Sequence, residues 1–286
     1  MSRRAAVLGH PIGHSKSPAL HLAAYAQLGE QIGYSAIDVT EESLPAFMAS
    51  VRAEAGWRGL SVTMPLKKAM VREVDEIRGV ARVLGVINTV VFDGEGASGR
   101  RIGYNTDVAG IINALRNAGA VEAPAAAVLG GGGTAAAAVA ALQELGAKSV
   151  DVYVRDTARA AEARAAAAGL ALDLTVRPMT DAVAGMAGAD VVISTLPPRA
   201  ADGMALELEQ RGGSTDGVLL DVAYDPWPSR IAAAWQKGGG TVVPGLEMLL
   251  YQAVEQVRLF TGREDAASAG VIDVMCDAVG APRRVD

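Results

Sequence analysis

Short apolar runs alternate with amphipathic segments through the first hundred residues. Residues 5–9 form an apolar run that ends in glycine, which predicts a buried strand of a parallel sheet. Residues 17–29 have apolar positions at helical spacing and predict a helix that Ser17 caps, with Pro18 at its first position and Gly29 after its last turn. This region therefore predicts an α/β unit with its own mixed sheet. Its other elements are predicted at 33–39 (strand), 43–54 (helix), 57–65 (strand), and 85–93 with 100–107 (a hairpin across the glycine-rich turn 93–99).

A regular series of apolar strands separated by alanine-rich helices follows. Strands that alternate with helices predict a parallel, doubly wound sheet. Two helical segments, 246–262 and 266–279, come after the last strand, and we expect them to return to the first unit because little of the second sheet is left to cover. The prediction is a two-domain α/β fold, with one domain at 1–106 plus 247–286, the other at 107–246, and a cleft between them. The strands of the series are predicted at 125–130, 149–155, 173–178, 189–195, 217–224 and 240–245.

Composition and charge narrow the class of protein. The chain has 286 residues, half of them hydrophobic and a fifth charged, which is typical of a folded globular protein. The net charge is −6 and no cluster of Lys and Arg stands out, which argues against a nucleic-acid partner. No apolar stretch reaches the roughly 20 residues that a membrane helix needs. Cys276 is the single cysteine, so an internal disulfide is excluded, and we expect a cytoplasmic protein.

The strongest local signal is the glycine-rich segment 128–138, which follows an apolar strand and opens an alanine-rich helix. Glycines there permit a tight turn, and the N–H groups of a helix N-terminus attract phosphate. The pattern is a variant of the dinucleotide-binding fingerprint, although a plain flexible turn is the alternative. The residues expected to contact the cofactor are Gly130, Gly131, Gly132, Gly133 and Thr134.

The end of the next strand bears on the choice between NAD and NADP. Arg155 stands at that strand end and Arg159 follows about one helical turn later. Two guanidinium groups can hold a ribose 2′-phosphate, whereas an acidic residue holds a free 2′-hydroxyl. Asp156 leaves alternatives open, because it could accept from the ribose, neutralise Arg155 or simply cap a helix. The pair of arginines favours NADP.

A second group of polar residues lies at predicted loops and strand ends of the first unit. Ser15 and Ser17 could bind a carboxylate without a buried countercharge, or serve only as helix caps. Lys67 follows a predicted strand and could protonate an alkoxide, although an isolated lysine is more often a surface charge. Asn88 and Asp107 are the other candidates, with helix capping as the simpler role for Asp107.

Six ordered motifs give the chain a resemblance to shikimate dehydrogenases. These are HSKSP, SVTMPLK, GVINTV, GYNTDVAG, the glycine-rich turn and PGLEMLLYQA, and the resemblance extends from about residue 7 to residue 262. It is closest to the actinobacterial, NADP-dependent type, given VTMP and YDPWP. The resemblance implies an N-terminal substrate-binding domain and a C-terminal Rossmann-like domain that binds NADP(H).

The resemblance also implies a role for individual residues. Lys67 and Asp107 would form the catalytic pair, with Lys67 as general acid toward the C3 carbonyl oxygen of 3-dehydroshikimate and as base in the reverse direction. Asp107 would hold Lys67 and a substrate hydroxyl. The implied substrate-binding residues are Ser15, Ser17, Thr63, Asn88, Asp107, Tyr224 and Gln252. The implied cofactor contacts beyond the glycine turn and the two arginines are Thr195, Gly245 and Met248.

Three positions depart from the common family pattern and keep alternatives open. Ser61 stands where many members have asparagine, Val154 where asparagine is usual, and Asp156 where serine or threonine is usual. The last two bear on cofactor choice, so an NAD-dependent quinate/shikimate dehydrogenase is the alternative enzyme. A catalytically silent cofactor sensor is the non-enzymatic alternative. We expect no metal, small-molecule partners only, and a monomer or a homodimer.

Overall fold

The computed structural model describes residues 3–94, 99–212 and 214–284. Contacts divide the chain into two compact units, one formed by 1–106 and 252–286 and the other by 107–251. The second boundary falls between Tyr251 and Gln252, inside a long helix, whereas the sequence predicted it at residue 247. Within the described ranges, no helix combines the length and the apolarity that crossing a bilayer would require.

The first unit is built on a mixed six-stranded sheet with the order β2-β1-β3-β5-β6-β4. Strand β1 pairs in parallel with β2 and β3, and β5 pairs antiparallel with β3 and β6. The predicted mixed sheet and the β5–β6 hairpin are therefore confirmed, while residues 95–98 of the predicted turn lie outside the described residues. The strands are β1 (Arg3–Gly9), β2 (Ile32–Asp38), β3 (Trp57–Val62), β4 (Glu76–Ile77), β5 (Thr89–Asp93) and β6 (Arg100–Tyr104).

Helices cover this sheet and supply much of its apolar core. Helix α11 packs against α1, and the end of α10 packs on β3, where a Cβ added at Gly59 would overlap the ring of Phe260. Gly59 is thus required by close packing and not by a turn. The helices of the unit are α1 (Ser17–Leu28), α2 (Leu44–Ala53), α3 (Ala81–Leu84), the last turns of α10 (Gly245–Thr261) and α11 (Ala269–Val279).

The second unit is a parallel sheet of six strands with the order β12-β11-β10-β7-β8-β9. The chain runs outward from β7 to β9, returns to β10 beside β7, and then runs outward in the other direction, which is the doubly wound topology that the sequence predicted. Ligands of such sheets bind where the direction reverses, beyond the carboxyl ends of β7 and β10. The strands are β7 (Ala126–Leu129), β8 (Ser149–Val154), β9 (Asp173–Pro178), β10 (Val191–Ser194), β11 (Val218–Asp221) and β12 (Thr241–Pro244).

Alanine-rich helices flank this second sheet. In α5 every residue from Ala135 to Leu142 is buried, because small side chains allow close approach to both the sheet and the neighbouring helices α4 and α6. The alanine-rich composition of α5 therefore serves close packing. The helices of the unit are α4 (Asp107–Asn117), α5 (Gly133–Glu144), α6 (Ala161–Gly169), α7 (Ala182–Met186), α8 (Asp202–Arg211), α9 (Arg230–Lys237) and the first turns of α10.

Candidate functional site

The glycine turn, residues 130–133, joins β7 to α5 in the second unit. Gly130 has a φ of +109°, a conformation that only glycine adopts readily, and a Cβ added there would overlap the Thr195 hydroxyl. A Cβ at Gly131 would overlap the carbonyl oxygen of Arg159. At Gly132, by contrast, a Cβ would have no described atom within 4 Å. The turn is therefore tightly packed on one side and open on the other.

The open side of the glycine turn is the N-terminus of α5. Gly132 is the N-cap residue, and no side chain of the described residues caps this helix. The first N–H groups of a helix have no partner within the helix, and together they attract an anion. An uncapped helix start beside an open glycine suits a pyrophosphate, so the residues present fit a dinucleotide.

The segment after β8 lies against the glycine turn. The main chain of Arg159 contacts Gly131, so the Arg159 side chain starts beside the turn. Arg155 and Arg159 are both exposed. One oxygen of Asp156 accepts a hydrogen bond from the N–H of Ala158 at 3.0 Å and caps a short 3-10 helix, Thr157–Ala160. Of the three roles the sequence left open for Asp156, capping is the one observed.

Further candidate cofactor residues follow β10 and β12. Thr195 donates its hydroxyl proton to the carbonyl oxygen of Leu129 at 2.9 Å, which holds the end of β10 against the glycine turn. Gly245 begins α10 at a point where any Cβ would overlap the main chain of Val222. Met248 is buried in the first turn of the same helix. Thr195 is therefore next to Gly130, while Gly245 and Met248 lie at the start of α10, beside the end of β11.

Tyr224 lies in a loop that a buried carboxylate holds. Asp221 accepts hydrogen bonds from the Ser229 hydroxyl at 2.6 Å and from the N–H of Ala223 at 3.3 Å. Burial raises the pKa of Asp221, and these hydrogen bonds oppose the rise. Burial also raises the pKa of Tyr224, whose ring is half-buried. The loop between β11 and α9 is thus anchored at both ends, with Tyr224 between the anchors.

Asn88 is the centre of a buried polar group in the first unit. Its side chain is only 2% exposed. Oδ1 accepts from the N–H of Thr106 at 2.7 Å and from the hydroxyl of Thr89 at 2.8 Å. Nδ2 donates to the Thr106 hydroxyl at 2.9 Å and to Oε1 of Gln252 at 3.4 Å. The structure therefore brings together Asn88 and Gln252, which the sequence proposed separately from motifs 164 residues apart.

Lys67 and Thr63 lie in the turn that follows β3. The N–H of Leu66 donates to the carbonyl oxygen of Thr63 at 2.9 Å, and the N–H of Ile87 donates to the carbonyl oxygen of Lys67 at 2.9 Å. Both Thr63 and Lys67 are half-buried. Because Ile87 immediately precedes Asn88, this hydrogen bond holds the main chain of Lys67 close to Asn88, just before the start of β5. Lys67 and Thr63 thus share one edge of the first sheet with Asn88.

The loop that carries Ser15 and Ser17 is anchored by Asp38 at the end of β2. Asp38 accepts from the N–H of Ile12 at 3.3 Å and lies 2.7 Å from Nδ1 of His10. Nothing in the sequence pointed to Asp38 as this anchor, because it is 26 residues from Ile12 and adjacent only through the β1–β2 pairing. Asp38 therefore fixes the start of the serine loop.

The predicted capping role of Ser17 is wrong. The N-cap residue of α1 is Lys16, whose side chain makes no capping hydrogen bond. The hydroxyl of Ser15 instead accepts from the N–H of Ser17 at 3.3 Å, and Ser17 itself is buried. Ser17 is the first residue of α1, so its N–H is one of the main-chain donors that a cap would satisfy. The Ser17 hydroxyl is therefore not occupied in capping.

Asp107 is the first residue of α4 and is buried. Lys67 belongs to the first unit and Asp107 to the second.

Among the described residues, no group of three or more His, Cys, Asp and Glu side chains has metal-binding geometry. The single cysteine, Cys276, is buried.

Sequence reasoning missed the polar residues behind Asn88. Gln256 is 1% exposed and donates to the carbonyl oxygen of Asn88 at 3.2 Å and to the hydroxyl of Thr89 at 3.0 Å. Its Oε1 accepts from the Ser61 hydroxyl at 2.8 Å. One signal was available, since Gln252 and Gln256 are four residues apart and so share a helix face. We call the six residues Asn88, Thr89, Thr106, Gln252, Gln256 and Ser61 the amide cluster.

His21 and Tyr34 extend the amide cluster toward the serine loop. The Tyr34 hydroxyl donates to Ser61 at 2.7 Å, and the His21 ring stacks on Tyr34 with ring centres 4.0 Å apart. Burial lowers the pKa of His21 to about 4, although the hydrogen bond to the Ser17 carbonyl opposes this. His21 is therefore neutral near pH 7, and its Nδ1 donates to the carbonyl oxygen of Ser17 at 2.9 Å.

Two family models match the chain. The model of the shikimate dehydrogenase substrate binding domain matches residues 7–90. The model of the shikimate 5′-dehydrogenase C-terminal domain matches residues 245–267. The matched ranges include the serine loop, Lys67, Asn88 and both glutamines of the amide cluster.

Individual proteins match over nearly the whole chain. A shikimate dehydrogenase (NADP(+)) from Methanothermobacter thermautotrophicus is 34% identical over 280 residues, which cover 96% of this chain and 94% of that protein. The crystal structure of a shikimate 5-dehydrogenase from Mycobacterium fortuitum has a TM-score of 0.83 at 38% identity and covers 97% of this chain and 98% of that one. A shikimate 5-dehydrogenase from Thermus thermophilus, in complex with NADP(H) and shikimate, has a TM-score of 0.78 at 30% identity, with 96% and 99% covered.

Proposed function

Because the chain belongs to the shikimate dehydrogenase family, we propose that it catalyses the reversible, NADP(H)-dependent interconversion of 3-dehydroshikimate and shikimate. It is an oxidoreductase that acts on a CH–OH group, in the biosynthesis of aromatic amino acids. The observation that carries the proposal is the presence, in one chain, of an open glycine turn at an uncapped helix start and of a buried amide cluster at the edge of a separate sheet. We place the enzyme in the cytoplasm, where its single buried cysteine meets a reducing environment.

In this proposal the second unit binds the cofactor. The N–H groups at the start of α5 and the residues Gly130, Gly131, Gly132, Gly133 and Thr134 hold the pyrophosphate, and Arg155 and Arg159 hold the 2′-phosphate. Thr195, Gly245 and Met248 contact the ribose and nicotinamide portion. The bound cofactor supplies the hydride equivalent that reduces the ketone to the alcohol.

Lys67 handles the proton in the proposed reaction. Its ammonium donates a proton to the carbonyl oxygen as that oxygen becomes an alcohol, and the neutral amine accepts the proton in the reverse direction. Asp107 stabilises the charged lysine and accepts a hydrogen bond from a substrate hydroxyl. The half-buried position of Lys67, with its carbonyl oxygen bound to Ile87, supports this role because orientation is part of proton transfer.

Neutral groups bind the rest of the substrate in this proposal. The hydroxyls of Ser15 and Ser17 bind the carboxylate, with Tyr224 as a further donor. Thr63, Asn88 and Gln252 bind ring hydroxyls. The hydrogen bonds that fix the Asn88 amide support a site that distinguishes donors from acceptors, because a buried polar group left without a partner is costly.

One assay with four reactant pairs tests the proposal. Purified protein is incubated with shikimate or quinate and with NADP or NAD, and reduced nicotinamide is followed by its ultraviolet absorbance. We expect turnover of shikimate with NADP to be the fastest. Preferred turnover of quinate with NAD would replace the proposal by the alternative enzyme, and an absence of turnover with all four pairs would favour a cofactor sensor.

A further inference from the structure

We propose that Gln256, held by Ser61, is a positioning residue that acts together with the main-chain N–H of Thr106 to fix which ends of the Asn88 and Gln252 amides donate hydrogen bonds. The inference rests on the proposed function, in which Asn88 and Gln252 bind ring hydroxyls. It extends that function by naming residues that do not touch the substrate yet set its recognition. The hydrogen-bond donors of the amide cluster form a chain of three links that starts at Gln256.

The first link is the orientation of the Gln256 side chain. A main-chain carbonyl oxygen only accepts hydrogen bonds, so the Gln256 atom 3.2 Å from the carbonyl oxygen of Asn88 is the NH2 group. Oε1 is consequently directed to Ser61, whose hydroxyl donates to it at 2.8 Å. The reversed amide would place two acceptors against each other with no water to relieve them, since Gln256 is almost fully buried.

The second link passes from Gln256 to Asn88. The Thr89 hydroxyl accepts from Nε2 of Gln256 at 3.0 Å, and this contact helps to orient the hydroxyl so that its single proton is directed at Oδ1 of Asn88, 2.8 Å away. The N–H of Thr106 donates to the same oxygen at 2.7 Å. With two donors on Oδ1, the other end of the Asn88 amide is fixed as the donor.

The third link reaches Gln252. Nδ2 of Asn88 donates to Oε1 of Gln252 at 3.4 Å. This contact makes Oε1 the acceptor end of the Gln252 amide and Nε2 its donor end. A substrate hydroxyl bound by Gln252 Nε2 therefore has to accept a hydrogen bond there. The polarity of the Gln252 amide thus follows from Asn88, which is oriented by the Thr106 N–H and, through Thr89, by Gln256, four residues further along α10 than Gln252.

The opposite end of the chain of hydrogen bonds leads to the serine loop. Ser61 uses its proton for Gln256, so its oxygen accepts from the Tyr34 hydroxyl at 2.7 Å. Tyr34 stacks on His21, and His21 donates to the carbonyl oxygen of Ser17. A small hydroxyl at position 61, where many family members have asparagine, can accept from Tyr34 and donate to Gln256 at once. One buried network therefore connects both ends of the proposed substrate site.

The test compares substrate discrimination in three variants. Gln256→Met removes the amide and keeps the length of the side chain, and Ser61→Ala removes the single hydroxyl that orients it. Tyr25→Phe is the matched control, because the Tyr25 hydroxyl is also buried near His21 and has no described hydrogen-bond partner. For each variant, KM and kcat are measured at saturating NADP with shikimate and with analogues in which one ring hydroxyl is replaced by hydrogen.

We expect Gln256→Met to raise the KM for shikimate by about tenfold, the effect of losing roughly one well-placed hydrogen bond. The preference for shikimate over one deoxy analogue should fall by a similar factor, because a disordered amide no longer requires the hydroxyl. Ser61→Ala should act in the same direction with a smaller effect, and NADP affinity and the Tyr25→Phe control should not change.

Unchanged discrimination in variants that fold and turn over would overturn the inference, as would an equal loss with shikimate and with every analogue. If Gln256→Met fails to fold, Ser61→Ala alone decides the question, since it deletes one oxygen from a strand. The wild-type assay distinguishes failure of the proposed function from failure of this inference. Without wild-type turnover the proposed function fails and this inference with it, whereas turnover with unchanged discrimination removes the inference alone.

Discussion

The glycine turn and the amide cluster solve the problem of recognition in different ways. The glycine turn presents main-chain N–H groups, and Gly130 and Gly131 are required because neighbouring atoms occupy the space of a Cβ. The amide cluster presents side chains whose orientation depends on partners from separate stretches of sequence. A site made of main chain needs only the right local turn, whereas a site made of side chains needs the whole unit to be folded.

The glycine turn and the amide cluster should differ in how far the effect of a substitution extends. Substitutions at the glycine turn should act through steric overlap of the added side chain and through backbone strain, so their effects should be confined to the turn. Substitutions in the amide cluster should spread along the hydrogen bonds, because removal of one partner leaves a buried group unsatisfied.

Replacement of Lys67 by alanine should have the largest effect on turnover. General acid–base catalysis contributes about 10²- to 10⁴-fold to rates, so kcat should fall by about that factor. NADP affinity should survive, since the glycine turn belongs to the other unit. Steady-state kinetics and a fluorescence titration of NADPH measure the two quantities. Lys68→Ala is the matched control, and turnover of Lys67→Ala at the wild-type rate would contradict the proposed role.

Acidification should destabilise the first unit through His21. Burial holds the pKa of His21 at about 4, while the unfolded chain binds the proton near pH 6.5. Between these values the unfolded state binds more protons, so stability is lost as the pH falls, by about 3 kcal/mol in total. Denaturant unfolding at several pH values measures this loss.

The control for His21 is another histidine. His21→Leu should flatten the dependence of the unfolding free energy between about pH 6.5 and pH 4, whereas His14→Gln, at an exposed position, should leave it intact. An equal slope in both variants would show that other groups cause the acid sensitivity.

Replacement of Arg155 by alanine should change cofactor preference. A hydrogen bond to a charged group contributes about 1.5–3 kcal/mol, so NADP binding should weaken by roughly tenfold or more, while NAD binding changes little. Isothermal titration with both nucleotides measures the ratio. Arg164→Ala removes an exposed charge from the next helix and serves as the control. Equal losses for the two nucleotides would refute binding of the 2′-phosphate by Arg155.

Alanine at two neighbouring glycines should give separable effects. Gly131→Ala forces a Cβ against the Arg159 carbonyl oxygen and should lower the unfolding free energy by about 1–3 kcal/mol. Gly132→Ala has room and should leave Tm nearly unchanged, but its methyl group enters the open side of the turn and should weaken NADP binding. Thermal unfolding and NADPH titration of both variants decide the matter. A reversed pattern would mean that the cofactor does not use the open side.

Much of the fold was accessible from local patterns. The glycine turn, the doubly wound sheet and the β5–β6 hairpin were predicted because turn geometry and strand burial leave their mark on consecutive residues. The Ser17 cap was wrong because the helix begins one residue earlier than the pattern suggested, at the level of detail where sequence signals are weakest. Asp38 was missed because its partners become neighbours only when β1 pairs with β2.

The sequence alone determined which residues carry chemistry, since glycine, lysine, serine and amide side chains are recognisable wherever they stand in a motif. Only the tertiary structure decided how the amides are oriented, because each end of Asn88 and Gln256 is assigned by donors and acceptors from distant strands and from α10. The geometry of a turn depends on consecutive residues, whereas the direction of a buried hydrogen bond depends on two partners that can lie far apart in the sequence.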